Sequence, residues 1–289
     1  ENMELLKTMG EGKDGFFWEY MEIPQKNDDN ALEMYTLQCR NHILKPLAEK
    51  YGIDTSDEAI RAAVEQHNEV CRLIRAIGDF RKEANPRVTG YEFHILTLVS
   101  YVAPKHLIVD KLRETLEEIK TREPDAADKY RARVVFVGSE VDDVDVIRLV
   151  EESGAYVCAD RFCYGSLPGR DEIILNDEED VVKQVCRQVQ GRAQCPRYWD
   201  MAKMTGRRDY VADLAKEYGA DGIIYEQMKF CDPWAYERMI GTIVLRDEHG
   251  YPVLAVDRPY SIGSSGQMRT RVQAFVESIE IKKIQGGKK

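Results

Sequence analysis

The apolar residues change period near Arg133, and this change constrains the fold more than any other feature of the chain. Arg133-Val134-Val135-Phe136-Val137-Gly138-Ser139 is a short, continuously apolar run closed by glycine. Such a run suits a strand buried on both faces. Three more follow: residues 155–160, 222–226 and 251–257. Between and after them lie helical stretches at residues 143–153, 177–191 and 209–219, one beginning near Asp232, and a last one at 267–281. Strands alternating with helices imply right-handed βαβ units on one parallel sheet. The expected fold is α/β, a Rossmann-like or flavodoxin-like doubly wound four-stranded parallel sheet in the order 2-1-3-4.

The first 131 residues read differently. The run Phe16-Phe17-Trp18-Glu19-Tyr20-Met21-Glu22-Ile23-Pro24 has strand character but little sheet of its own to join. Asn30 is placed to cap a helix over residues 31–51, bent by Pro46 and ended by Gly52. Ser56 caps a second helix, with Ile60, Val64, Cys71, Ile74 and Ile77 at helical spacing. Residues 89–102 read as a buried helix and 108–122 as an amphipathic surface helix. The expected division is a helical segment over residues 1–131, carrying the tail of an N-terminal α/β domain absent from this sequence, and a C-terminal Rossmann-like domain over 132–289. The start at Glu1 rather than Met favours that absence.

Composition excludes several function classes. The net charge of −10 and the lack of a basic stripe argue against nucleic-acid binding. No run of about 18 apolar residues is present, so no membrane span is expected. Seven irregularly spaced cysteines do not read as a disulfide framework. They suit a reducing, cytoplasmic setting with thiols free, buried or metal-bound.

In an open parallel sheet, ligands bind beyond the carboxyl ends of the strands, at the point where strand order reverses. Candidate residues therefore follow each strand. Cys231 stands out: it precedes Asp232, suited to an N-cap, and Pro233, suited to the first helical position. The helix dipole there favours thiolate. Such a thiol serves as a nucleophile, a redox group or a metal ligand; the alternative is a half-buried structural cysteine. Cys163 and Cys195 also approach this edge, and neither forms a close Cys-x-x-Cys pair. Ser139, Gln227, Lys229, Ser264, Ser265 and Gln267 are candidates for binding substrate or an anion, the last three at a helix start. Cys39, Cys71 and Cys186 fall on helices and read as core. The five histidines show no metal spacing, and no dinucleotide or phosphate-loop fingerprint occurs. No catalytic residue is assigned.

Two longer motifs carry a family resemblance. Ala220-Asp221-Gly222-Ile223-Ile224-Tyr225-Glu226-Gln227-Met228-Lys229-Phe230-Cys231-Asp232-Pro233 is one. Pro252-Val253-Leu254-Ala255-Val256-Asp257, followed by Gly266-Gln267-Met268-Arg269-Thr270-Arg271-Val272-Gln273-Ala274-Phe275-Val276-Glu277, is the other. Together they resemble the 2-hydroxyacyl-CoA dehydratase and benzoyl-CoA reductase subunits, with the tail leaning to the reductase branch. The resemblance implies an oxygen-sensitive [4Fe-4S] cluster, a related second subunit, an ATP-hydrolysing iron–sulfur partner that donates single electrons, and a CoA-thioester substrate. Cys231 matches the cluster cysteine of the C-terminal domain, with Cys163 and Cys195 as alternate ligands or neighbours of the cluster. The other ligands would belong to the absent N-terminal domain, so the chain by itself is expected to lack a cluster and activity. The alternative is a non-catalytic electron-transfer or scaffold subunit, or a double-cluster reductase of the same superfamily.

Overall fold

The computed structural model describes residues 2–10, 18–124, 129–166, 171–192, 195–198, 201–260 and 265–286. The chain divides into two compact units, residues 1–63 with 174–191 and residues 64–173 with 192–289.

The smaller unit holds α1 (Asn2–Gly10), α2 (Asp29–Cys39), α3 (Lys45–Tyr51), the start of α4 (Asp57–Asp79) and most of α8 (Val181–Arg192). Asp28, not Asn30, caps α2, its side chain accepting from the Ala31 N–H at 2.9 Å. Between α2 and α3 the helix widens into a π turn, Arg40–Leu44. Pro46 lacks the N–H that an α-helix would require, and a wider turn accommodates that loss without a break. Gly52 closes α3 at φ 64°. Leu32, Tyr35, Val181 and Val182 form the buried core of this unit. Trp18–Pro24 forms no strand; the part of the expected strand before Trp18 lies outside the described residues.

In the larger unit, α4, α5 (Gly90–Val102) and α6 (Lys105–Thr121) bury Val70, Ile74, Ile77, Phe93, Leu112 and Ile119 together. Thr89 and Glu92 cap α5 reciprocally. The sheet follows, with β1 (Ala132–Val137), β2 (Ala155–Arg161), β3 (Gly222–Met228) and β4 (Val253–Arg258). All pairings are parallel and the order is β2-β1-β3-β4, as the alternation predicts.

Alternate residues on each strand bury opposite faces, which explains the uninterrupted apolar runs. Val134, Phe136, Val157, Ile224 and Val256 pack with α7 (Val144–Glu152) and with Val272, Phe275 and Val276 of α11 (Ser265–Gly286). Val135, Val137, Tyr156, Ile223 and Tyr225 pack with α9 (Met201–Glu217) and α10 (Asp232–Asp247). In β2 the register slips, so that Val134 pairs with Val157 and Val135 with Ala159. Cys158 is the extra residue, fully buried.

The helical layer is tied to the sheet by buried charge. Glu151 of α7 accepts from the N–H groups of Gly90 and Tyr91, at 2.8 and 3.1 Å, at the start of α5. A Cβ on Gly90 would meet Val157 at 2.6 Å, so only glycine allows this approach. Arg81, just beyond α4, donates to Asp160 at the end of β2 (2.9 Å) and stacks over the Phe93 ring at 3.7 Å. Both charges are buried. Removing one partner from such a pair strands the other. Asp160→Ala is therefore expected to lower stability by about 3–5 kcal/mol in urea denaturation; a loss below about 1 kcal/mol would show that Arg81 does not depend on this partner.

Candidate functional site

Strand order reverses between β1, which is followed by β2 on one side, and β3, which lies on the other. The crevice at such a point lies beyond the carboxyl ends of β1 and β3. The residues there are Gly138 to Glu140 after β1 and Gln227 to Cys231 at and after the end of β3.

The floor of this edge is a buried polar network. Glu226, fully buried near the end of β3, accepts from the N–H and the hydroxyl of Ser139 at 3.1 and 2.9 Å. The Ser139 hydroxyl in turn accepts from the Met228 N–H at 2.6 Å. Arg258, from the end of β4, brings Nε to 2.8 Å from Glu226 Oε1. That contact lies off the line of a hydrogen bond, so it is mainly coulombic. The same guanidinium donates to the carbonyls of Glu140, Pro259 and Tyr260. One cation thus ties the ends of β1, β3 and β4. Gly138 leaves the space required, since a Cβ there would sit 2.4 Å from the Glu226 carbonyl oxygen.

This arrangement gives Ser139 a defined task. It is 1% exposed and its hydroxyl both donates and accepts within the network. Gln227 accepts from Arg238 at 3.1 Å, and Lys229 points outward, 4.0 Å from Asp257. Gln267 is exposed in the first turn of α11. Ser264 lies outside the described residues, and for Ser265 only the backbone is described. α11 and α10 follow adjacent strands at the same sheet edge but pack on opposite faces.

Cys231 is itself the N-cap of α10, one residue earlier than expected, with Pro233 in the first turn and no side-chain cap bond. Phe230, beside it, adopts φ 71° and is 98% exposed. Burial raises the Cys231 thiol above the ordinary value, and the Trp234 backbone N–H opposes that shift only in part. Desolvation outweighs that hydrogen bond here. Cys163, at the end of β2, is pushed up to about 12 by burial, with the Trp234 indole acting against the shift. Its backbone N–H donates to the Ser139 carbonyl at 3.1 Å.

The structure brings Cys163 near enough to feel the charges of Cys195 and Cys231, and Cys231 near enough to feel that of Cys195. Yet no three His, Cys, Asp or Glu side chains among the described residues group so as to hold a metal ion. A thiol at the head of a helix suits one ligand position of an iron–sulfur cluster, which takes several thiolates. The described residues do not complete that set. None of the seven cysteines is in a disulfide. Among the described residues, no helix is long and apolar enough to cross a membrane.

Sequence reasoning missed Glu226. Its signal was a carboxylate inside a run otherwise fit for a two-sided buried strand. Burial lifts it to about 7, against the pull of Arg258 and the Ser139 bonds. A carboxyl that is harder to ionise in the fold than in the unfolded chain contributes stability fully below its unfolded value. That contribution is lost as pH rises through about 7. The protein should therefore resist urea better at pH 6 than at pH 8, and Glu226→Gln should flatten the difference. Glu151, also held near 7 by burial, carries a second share of the same slope. An unchanged slope in Glu226→Gln would mean that Glu226 is already ionised at pH 6.

Comparison with known proteins now places the chain. The family model described as 2-hydroxyglutaryl-CoA dehydratase, D-component, matches residues 3–279. The (R)-phenyllactyl-CoA dehydratase beta subunit of Clostridium sporogenes is 25% identical over 259 residues, 89% of this chain and 67% of that protein. A benzoyl-CoA reductase subunit of Thauera aromatica is 23% identical over 283 residues, 96% of this chain and 70% of the relative. The (R)-2-hydroxyglutaryl-CoA dehydratase subunit beta of Acidaminococcus fermentans is 24% identical over 265 residues, 90% and 68% respectively. With its parallel sheet, its strand-end cysteine and a family match over nearly its whole length, the chain belongs to the 2-hydroxyglutaryl-CoA dehydratase D-component family.

Proposed function

We propose that the protein is a subunit of an iron–sulfur enzyme that passes low-potential single electrons to a CoA thioester, of the 2-hydroxyacyl-CoA dehydratase or benzoyl-CoA reductase type. The observation that carries this reading is the place of Cys231, heading α10 at the carboxyl end of β3. In this reading Cys231 holds one iron of a [4Fe-4S] cluster, and the remaining ligands lie outside the described residues. The cluster supplies one-electron chemistry when bound. The chain's own residues orient and exclude: Arg258 and Glu226 fix the loops around the thiol, and buried Trp234 closes the side toward the sheet. Cys163 and Cys195 are candidates for further ligands or for places beside the cluster.

An ATP-hydrolysing iron–sulfur protein is the proposed electron donor, and a related subunit the proposed permanent partner. Names of relatives that call them beta subunits support the latter. So does an exposed apolar stripe on α10, Tyr236, Met239, Ile240 and Ile243, which continues from Phe230. Residues at this spacing share one helix face, and such faces mark protein contacts. Lys229, half exposed at the same edge, is assigned to an anionic part of the thioester.

The test uses the complete protein with its partner, made without oxygen. Cys231→Ala should lose iron, sulfide and turnover, whereas Cys186→Ala should keep all three; full iron in Cys231→Ala would end the ligand assignment. Lys229→Ala should raise KM for the thioester about tenfold with kcat little changed, the loss of one charge-assisted hydrogen bond. Ile240→Asp should weaken co-purification of the second subunit. Normal assembly in that variant would move the interface off α10.

A further inference from the structure

The smaller unit contains a pairing that the spacing of the cysteines does not reveal. Cys39 and Cys186 are 147 residues apart in sequence, yet their sulfurs are 3.5 Å apart. Cys39 is the last residue of α2, at the mouth of the π turn. Cys186 lies within α8, with Val182 one helical turn before it. Both pack in the Leu32, Tyr35, Val181 and Val182 cluster. The Met21 thioether completes a sulfur-lined spot, 3.8 Å from Cys39.

We propose that Cys39 and Cys186 form a reversible dithiol–disulfide pair, with Cys39 as the attacking sulfur and Cys186 as the resolving one. The division of labour follows from exposure and hydrogen bonding. Cys39 is half-buried, while Cys186 is only 3% exposed. The Cys186 thiol donates to the Cys39 sulfur. That bond holds Cys39 below the ordinary thiol value and raises Cys186 above it. The more exposed sulfur is thus the better thiolate, as an attacking thiol requires. A disulfide needs the sulfurs at about 2.05 Å, so closure is a movement of roughly 1.5 Å.

The oxidant class is a hydroperoxide. The Cys39 thiolate attacks the O–O bond; a sulfur–oxygen bond forms, the O–O bond breaks, and the alkoxide leaves and takes a proton. Cys186 then attacks the Cys39 sulfenic sulfur. The sulfur–sulfur bond forms, the sulfur–oxygen bond breaks, and water leaves. In sum, two thiols and one hydroperoxide give one disulfide, one alcohol and one water, with two electrons passing to the peroxide. A small dithiol reverses the change by exchange. The proposal is independent of the cluster reading, because neither sulfur belongs to the unit that carries Cys231.

The experiment is peptide mapping of the complete protein after equimolar hydrogen peroxide, with alkylation of the remaining thiols. The expected product is a Cys39–Cys186 cross-linked peptide about 2 Da lighter than the sum of its reduced parts, erased by dithiothreitol. Cys186→Ser should shift the product to sulfenic or further oxidised Cys39, and Cys39→Ser should leave Cys186 alkylatable. The urea midpoint of the wild-type protein should rise on oxidation and fall back on reduction, with neither single variant responding. Circular dichroism checks that both variants fold. Recovery of Cys39 and Cys186 as separately alkylated peptides, or of over-oxidised Cys39 beside an alkylatable Cys186 in the wild-type protein, would overturn the proposal.

Discussion

The carboxyl edge of the sheet depends on the burial of one carboxylate with one guanidinium. Glu226 and Arg258 come from adjacent strands and are both nearly inaccessible. Desolvating them is costly, and their mutual attraction offsets that cost only because Ser139 and the carbonyls of three loop residues satisfy the remaining groups. A pair of this kind adds little net stability but penalises any other arrangement of the loops. The geometry at the mouth of the crevice follows: the β1 loop cannot drift from β3 without uncovering Glu226, and the β4 loop cannot drift without uncovering Arg258. Arg81 and Asp160 perform the same service at the end of β2. Buried charge thus holds the strand ends in one loop geometry, which the apolar contacts of Val141 and Phe162, being non-directional, would not select.

The sheet was legible because its physics is local and repetitive. A strand covered on both faces is apolar at nearly every position, and four such runs separated by helices leave few topologies. Boundaries were less legible. Asp28 and Asn30 both suit an N-cap, and only the path of the preceding loop decides between them. Pro46 signals a disturbed helix, but not whether the disturbance is a bend or a π turn. Phe16 to Pro24 has strand-like composition, yet strand is a paired state: Trp18–Pro24 pairs with no strand among the described residues, and the rest lies outside them.

The candidate site was legible in position but not in electrostatics. Strand ends and helix starts located Cys231, and the offset of one residue at the cap changes little. The upward shift of its thiol was not legible, because the helix start is visible in a sequence and burial is not. Ser139 was placed correctly at the edge, but its bonds to Glu226 and Met228 depend on a strand 87 and 89 residues away. Cys39 and Cys186 read as ordinary core residues because each, on its own helix, is one; only tertiary packing makes them neighbours.

Phe230 carries a further implication. Its left-handed backbone costs any side chain on the order of 1 kcal/mol relative to glycine. Its ring repays none of this through burial, being 98% exposed. Judged by the isolated fold alone, glycine is the better residue there. A programme that improved this chain for thermal resistance, position by position, would discard the aromatic early and count the change as a gain. The ring therefore marks a place where what the isolated fold would select and what the sequence holds point in opposite directions.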